Sequence, residues 1–216
     1  VSWISSDESI AKVDNGKVTA VKSGKATITA KCGGKTAECA VTITVPTSSV
    51  TLDKTTLSLA VGETAQLIAT VKPDDATDKN VSWTSSDETV AKVDNGKVTA
   101  VKAGKAMITA KCSGKTAECA VIVTIPVTGV YLEMTSLSLA KGENAQLSAV
   151  VTPTDASNKN IVWTSNNPNV ATVSQSGLVR AIGGGKTIIS VQTEDGGYKS
   201  QCAVTVSINV TGVTIS

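Results

Sequence analysis

The sequence predicts an all-β protein of tandem two-layer sandwiches, and three observations carry that prediction. The chain repeats itself, with the segment that starts at Val1 returning at Val81. Turn-forming residues recur roughly every 8–12 positions with β-branched residues alternating between them, the pattern of a sandwich or barrel. Of the 216 residues 41% are hydrophobic but only 2% aromatic, with no Phe, so the core must be filled by Val, Ile, Leu and Ala, which suits thin β layers.

The repeat sets the organisation. VSWISSDESIAKVDNGKVTAVKSGKATITAKCGGKTAECAVTITV returns as VSWTSSDETVAKVDNGKVTAVKAGKAMITAKCSGKTAECAVIVTI with nine differences. A more divergent copy, IVWTSNNPNVATVSQSGLVRAIGGGKTIISV, begins at Ile161 and reaches CAVTV at Cys202 after small insertions. The segment before Val81, SVTLDKTTLSLAVGETAQLIATVKPDDATDKN, likewise matches the one before Ile161. These matches divide the chain into the C-terminal part of a truncated repeat (1–45), two complete repeats (46–125 and 126–208) and the first strand of a further repeat (209–216).

In the complete second repeat, strands are predicted in order at 49–52, 56–60, 64–71, 80–84, 90–93, 97–101, 106–111 and 118–125. Val61-Gly62-Glu63, Asp94-Asn95-Gly96, Ala103-Gly104-Lys105 and Ser113-Gly114-Lys115 separate them, placing Gly or Asn where a tight turn demands positive φ. Alternation assigns faces: Cys119, Val121, Val123 and Ile125 point inward, Ala120, Ile122 and Thr124 outward. In the preceding strand Ala106, Ile108, Ala110 and Cys112 oppose Met107, Thr109 and Lys111, and the lysine marks the wet side. Two sheets packed on such faces give an immunoglobulin-like sandwich of about seven or eight strands. Val45-Pro46-Thr47 and Ile125-Pro126-Val127 join the repeats, where proline ends a strand and limits the hinge, so a stiff string of beads is expected.

Composition excludes much chemistry. The absence of His removes imidazole triads and the HExxH zinc motif. A net charge of +2 is too balanced for the basic stripe of a nucleic-acid binder. The longest apolar stretch, 119–127, is far short of the roughly 20 residues a membrane helix needs. No secretory leader is read at Val1, so any export signal is expected outside this stretch. Ser85, Ser86 and Asp87 have no base to activate a serine and read as a turn. Gly183-Gly184-Gly185-Lys186 lacks the GxxxxGK[ST] frame of a phosphate loop.

The run V-x-W-x-S-S-D-x-x-V-A-x-V-x-x-G-x-V-x-A-V-x-x-G-x-A-x-I-T-A, with its lead-in L-x-L-x-x-G-x-x-x-x-L-x-A-x-V, resembles the bacterial Ig-like group 2 (BIG2) family over nearly the whole chain. Asn166-Asn167 departs from it where Ser86-Asp87 stand in the second repeat. The resemblance implies an extracellular or cell-surface protein of bacterial or phage origin, used for adhesion, display or spacing, and no catalytic residue.

Several residues are candidates for special roles. Trp3, Trp83 and Trp163 recur at one place in a hydrophobic strand and are expected in the core. Cys32 with Cys39, and Cys112 with Cys119, fall on the inward face of one hairpin each. Given the oxidising exterior the resemblance implies, each pair is a disulfide candidate; two packed thiols are the alternative. Cys202 faces Thr193 where a partner would stand and is expected as a free, inward thiol. Asp74, Asp75 and Asp78 in one loop and Asp87 in the next are weak calcium candidates, since calcium takes six to eight oxygens, against the reading that they solvate turns. No other cofactor is expected.

The function expected is that of a non-enzymatic surface stalk, adhesion or display module, with surface glycans or proteins as its partner class. The alternatives are a phage fibre or decoration segment that binds host glycans, and an accessory module of a large extracellular carbohydrate-active enzyme. For the first repeat, strand exchange with another chain stands beside simple truncation as the account of its missing leading strands.

Overall fold

The structure is a computed structural model, and residues 1–209 are described here; the strand expected at 209–216 falls outside them except for Asn209. All regular elements among the described residues are strands. They divide between two compact units, Val1–Val123 and a second that begins at Thr124.

The first unit opens with β1 (Ser2–Ser5), β2 (Ala11–Asp14), β3 (Lys17–Ala20), β4 (Gly24–Cys32) and β5 (Lys35–Ile43). It continues through β6 (Ser49–Leu52), β7 (Thr56–Ala60), β8 (Thr64–Gln66), β9 (Ala69–Lys72), β10 (Ser82–Ser85), β11 (Ala91–Asp94), β12 (Lys97–Ala100), β13 (Gly104–Cys112) and β14 (Lys115–Thr124). The second unit repeats the latter plan with β15 (Gly129–Leu132), β16 (Ser136–Ala140), β17 (Asn144–Gln146), β18 (Ala149–Thr152), β19 (Ile161–Ser165), β20 (Ala171–Val173), β21 (Leu178–Ala181), β22 (Gly185–Thr193) and β23 (Lys199–Ser207).

In the second repeat one sheet has the order β10-β13-β14-β7 and the other β11-β12-β8, with β6 paired to β9. Leu59, Leu67, Val98, Ile108, Cys119 and Val121 are buried together between the sheets, and Ile108, Cys119 and Val121 are among the residues that alternation places inward. The third repeat has the same orders, β16-β23-β22-β19, β17-β21-β20 and β15-β18. Its core holds Leu147, Val179, Ile189, Val191 and Val204 around Trp163.

The strand expected over 64–71 divides in two, β8 and β9, which belong to different sheets. Leu67 is buried at the break and donates its N–H to Gly96 O at 2.8 Å, while Ile68 N–H turns to the Asp53 carboxylate at 2.7 Å. The chain thus leaves one ladder for the other with both donors satisfied, which alternation alone does not reveal.

The first repeat has β1-β4-β5 and β2-β3, and nothing in 1–45 corresponds to β6–β9. Its core is reduced to Ala11, Ala26 and Ile28 with partly buried neighbours. The same letters therefore take different environments: KVTA is exposed throughout in β3, whereas Val98 and Ala100 of the same tetrapeptide are buried in β12.

Candidate functional site

The tryptophan position is set by a turn. Asn95 and Gly96 join β11 to β12 with φ of 48° and 80°, the left-handed pair that a two-residue hairpin requires. A Cβ on Gly96 would lie 2.5 Å from Leu67 O and 3.0 Å from Trp83 Cζ2; on Gly177 it would lie 2.5 Å from Leu147 O and 3.0 Å from Trp163 Cζ2. Glycine lets the indole lie against the turn. Trp163 is 4% exposed, and Trp83 is half-buried against two buried clusters. The expectation that Trp3 is core needs correction, because it is 39% exposed. No segment of the described chain supplies for Trp3 the cover that Leu67 and its neighbours give Trp83.

The disulfide expectation is also corrected, since all five cysteines are free. Ser113 and Gly114 turn the hairpin so that Cys112 stands opposite Lys115 and Cys119 opposite Ile108. The two thiols are then four rungs apart, on the order of 13 Å along the strand, whereas a disulfide needs Cα atoms within about 7 Å. Cys32, opposite Lys35, and Cys39, opposite Ile28, are offset in the same way. Pairing these cysteines would need a turn centred between them, and the left-handed pair lies off centre. Cys32 and Cys39 are exposed, while Cys112, Cys119 and Cys202 are buried, and burial pushes the Cys119 and Cys202 thiols up from their ordinary values.

Cys112 belongs to a small exchange of hydroxyls. Thr47 donates to Asp78 O at 2.9 Å, and the Cys112 thiol approaches the same oxygen at 3.4 Å. In the third repeat Val127 stands for Thr47 and Thr193 for Cys112, and Thr193 donates to Asp195 O at 2.6 Å. Each site buries one hydroxyl with an acceptor, from opposite walls.

The four calcium candidates are not brought together: among the described residues no three acidic or cysteine side chains form a group able to hold a metal ion. Asp74 pairs with Lys72 at 2.8 Å, Asp78 accepts from Ser113 Oγ at 2.6 Å, and Asp75 is exposed. Asp87 accepts from Thr89 Oγ1 at 2.6 Å and Thr89 N–H at 2.9 Å, bonds that hold its carboxyl below the usual carboxylate range. Asp74, through Lys72, and Asp78, through Ser113, are lowered too. These are turn-stabilising roles. Ser86 likewise spends its hydroxyl accepting Met107 N–H at 2.8 Å.

The outer face of the larger sheet carries shallow hollows. At one place on it an alanine on the last strand opposes a residue of its neighbour: Ala40 with Thr27, Ala120 with Met107, Ala203 with Ile188. The small alanine leaves a shallow hollow. In the second repeat this hollow is about 380 Å³, and Met107 and Ile122 line it with 37% and 42% of their surface exposed. In the first, Thr27 and Thr42 replace them around about 200 Å³. The third repeat has a mostly polar hollow of about 240 Å³ on the same sheet face, lined by Val162, Thr164, Asn166, Ser190, Gln192, Lys199 and Gln201. Alternation alone places Met107 and Ile122 outward; the signal that they matter was the pair of Thr-to-apolar changes among nine differences.

Comparison with known proteins agrees with this architecture. An uncharacterized protein of Clostridium acetobutylicum is 35% identical over 69% of this chain, which spans 16% of that protein. An Ig-like virion protein of Serratia phage KSP90 is 36% identical over 76% of this chain, which spans 66% of it. Among solved structures, the I67–I69 I-band fragment of titin superposes with a TM-score of 0.51 at 10% identity, covering 93% of this chain and 82% of the fragment, a likeness of fold alone. The family model for the bacterial Ig-like domain (group 2) matches residues 1–41, 46–121 and 126–204, and the chain belongs to that family.

Proposed function

We propose that the chain is a non-enzymatic, extracellular module of a bacterial or phage surface structure that acts in spacing, adhesion or display. One observation carries the reading: the inward pattern is kept through the repeats while the outward hollow changes from Thr27 and Thr42 to Met107 and Ile122. A scaffold with a constant interior and changing outer faces suits presentation of contact surfaces better than chemistry, which needs one convergent site. The incoming chain is also fixed at each joint. Val45 N–H donates to Thr77 Oγ1 at 2.8 Å and Val45 O accepts from Thr77 N–H at 2.9 Å; Ile125 and Ser157 make the same two bonds at 2.8 Å each.

The test is to place the chain between a bacterial wall anchor and a ligand-binding head on capsulated cells. The spacer should restore capture of ligand-coated beads that a direct fusion cannot reach; capture no better than the direct fusion would refute the spacing role, and turnover of any substrate by the isolated chain would refute the non-enzymatic reading.

The likeness to a phage virion protein favours a second reading, a virion segment that contacts host glycans. The third repeat's hollow supports it, since its side-chain amides and hydroxyls can donate to and accept from sugar hydroxyls. Glycan-array binding that disappears in a Gln192→Ala, Gln201→Ala variant is the expected result for this reading. Binding unchanged by the variant would exclude the hollow.

A further inference from the structure

We infer that each complete repeat is built to bear tension along the chain, through the pairing of its second strand with its last. The geometry is clearest in the third repeat. Strand β16 runs parallel to β23, in register from Ser136 opposite Ala203 to Ala140 opposite Ser207. The patch is closed at one end by Ala203 N–H donating to Thr135 O and at the other by Lys141 N–H donating to Ser207 O, each at 2.9 Å. Beneath it Leu139, Val204 and Val206 are buried in the main core. The second repeat places β7 beside β14 in the same way, with Ala120 N–H donating to Thr55 O at 2.9 Å.

Direction matters because tension enters a repeat at its N-terminal side and leaves at its C-terminal side. In a parallel pair the N-terminal end of one strand and the C-terminal end of the other lie at opposite ends of the ladder. Pulling those ends slides the strands past each other and loads every rung at once. An antiparallel pair of first and last strands would put both loaded ends together, and the rungs would open one at a time. Five register pairs and an apolar underside thus resist as a block, and forced unfolding is governed by the barrier to breaking that block. The inference concerns the fold and does not rest on the surface-module reading, so its failure would leave that reading standing.

The test reverses the load on one strand. Met134 and Lys141 are exposed and lie just before and just after β16. In the full chain with Cys32 and Cys39 changed to Ser, a pulling handle is attached at Met134→Cys or at Lys141→Cys, with the second handle at the C-terminal end. Attachment at 134 shears β16 along β23, and attachment at 141 peels it. The expected rupture force is roughly two- to fivefold higher from 134, because shear loads the rungs together. Equal forces, or a higher force from 141, overturn the inference. A chain that carries both substitutions, labelled at random on one or the other thiol, presents both geometries in one protein and removes any difference in stability between variants. Two force populations are then expected, and a single population overturns the proposal.

Discussion

Gly96 and Gly114 offer a controlled substitution within one repeat. Both close two-residue hairpins, after Asn95 and Ser113, with φ of 80° and 81°. An alanine at either must adopt the left-handed conformation, which costs about 1–2 kcal/mol. At Gly114 that is the whole penalty, because nothing lies within 4 Å of the added Cβ. At Gly96 the Cβ would meet Leu67 O at 2.5 Å, a backbone atom that cannot swing away, and Trp83 Cζ2 at 3.0 Å. Relief requires stretching the bond from Leu67 N–H to Gly96 O, worth about 1 kcal/mol, and moving packed core atoms, about 1–3 kcal/mol more. Gly96→Ala should therefore cost roughly 2–4 kcal/mol beyond Gly114→Ala. For a domain of this size that separates the melting transitions by about 8–32 °C at about 4–8 °C per kcal/mol. Thermal and urea melts of both variants, followed by circular dichroism, check it. Equal losses would mean that the indole-and-carbonyl seat around the turn is not rigid, and would refute the reasoning.

Other consequences follow from burial and bonding. Trp163→Ala should cost about 3–5 kcal/mol in a urea melt, and Trp3→Ala less, about 1–3 kcal/mol, since the second side chain is already partly in water. All five thiols should count as free by intact mass without reductant; on the native protein iodoacetamide should modify Cys32 and Cys39 quickly and Cys112, Cys119 and Cys202 only after denaturation. Hydrogen bonds lower the carboxyls of Asp7, Asp53, Asp74, Asp78 and Asp87, so their stabilisation is present above the unfolded pKa of about 3.9 and is lost as pH falls through the lower folded values. Melting temperature should hold steady from neutral pH down to about pH 5 and drop below about pH 4. Asp87→Asn, the amide that Asn167 already supplies in the third repeat, should keep the turn and flatten that drop; an unchanged acid slope would show that the Asp87 bonds do not contribute to it.

The sequence made the sandwich legible because alternation and turn chemistry are local. Inward Ile108, Cys119 and Val121, outward Met107 and Ile122, and the Asn95-Gly96 corner are all written in spacing. Two things were not. Register across a hairpin depends on where the turn is centred, and one off-centre glycine pair separates Cys112 from Cys119 by four rungs. Burial depends on strands from elsewhere in the chain, so Cys39 and Cys119 share the context KTAECAV yet one is exposed and the other buried. The outer hollows were legible only as exposed positions and, at Met107 and Ile122, as changes from Thr27 and Thr42, because outward residues carry no packing constraint to mark them.

Hydrogen exchange by mass spectrometry across β4 and β13 tests most directly the claim that each complete repeat is sealed by its own leading strands. The two segments, GKATITAKC and GKAMITAKC, differ at one residue, but Cys112 is buried where Cys32 is exposed. Amides of β13 should exchange at least about 100-fold more slowly than those of β4, through opening of the whole repeat. Equal protection of the two would contradict the account.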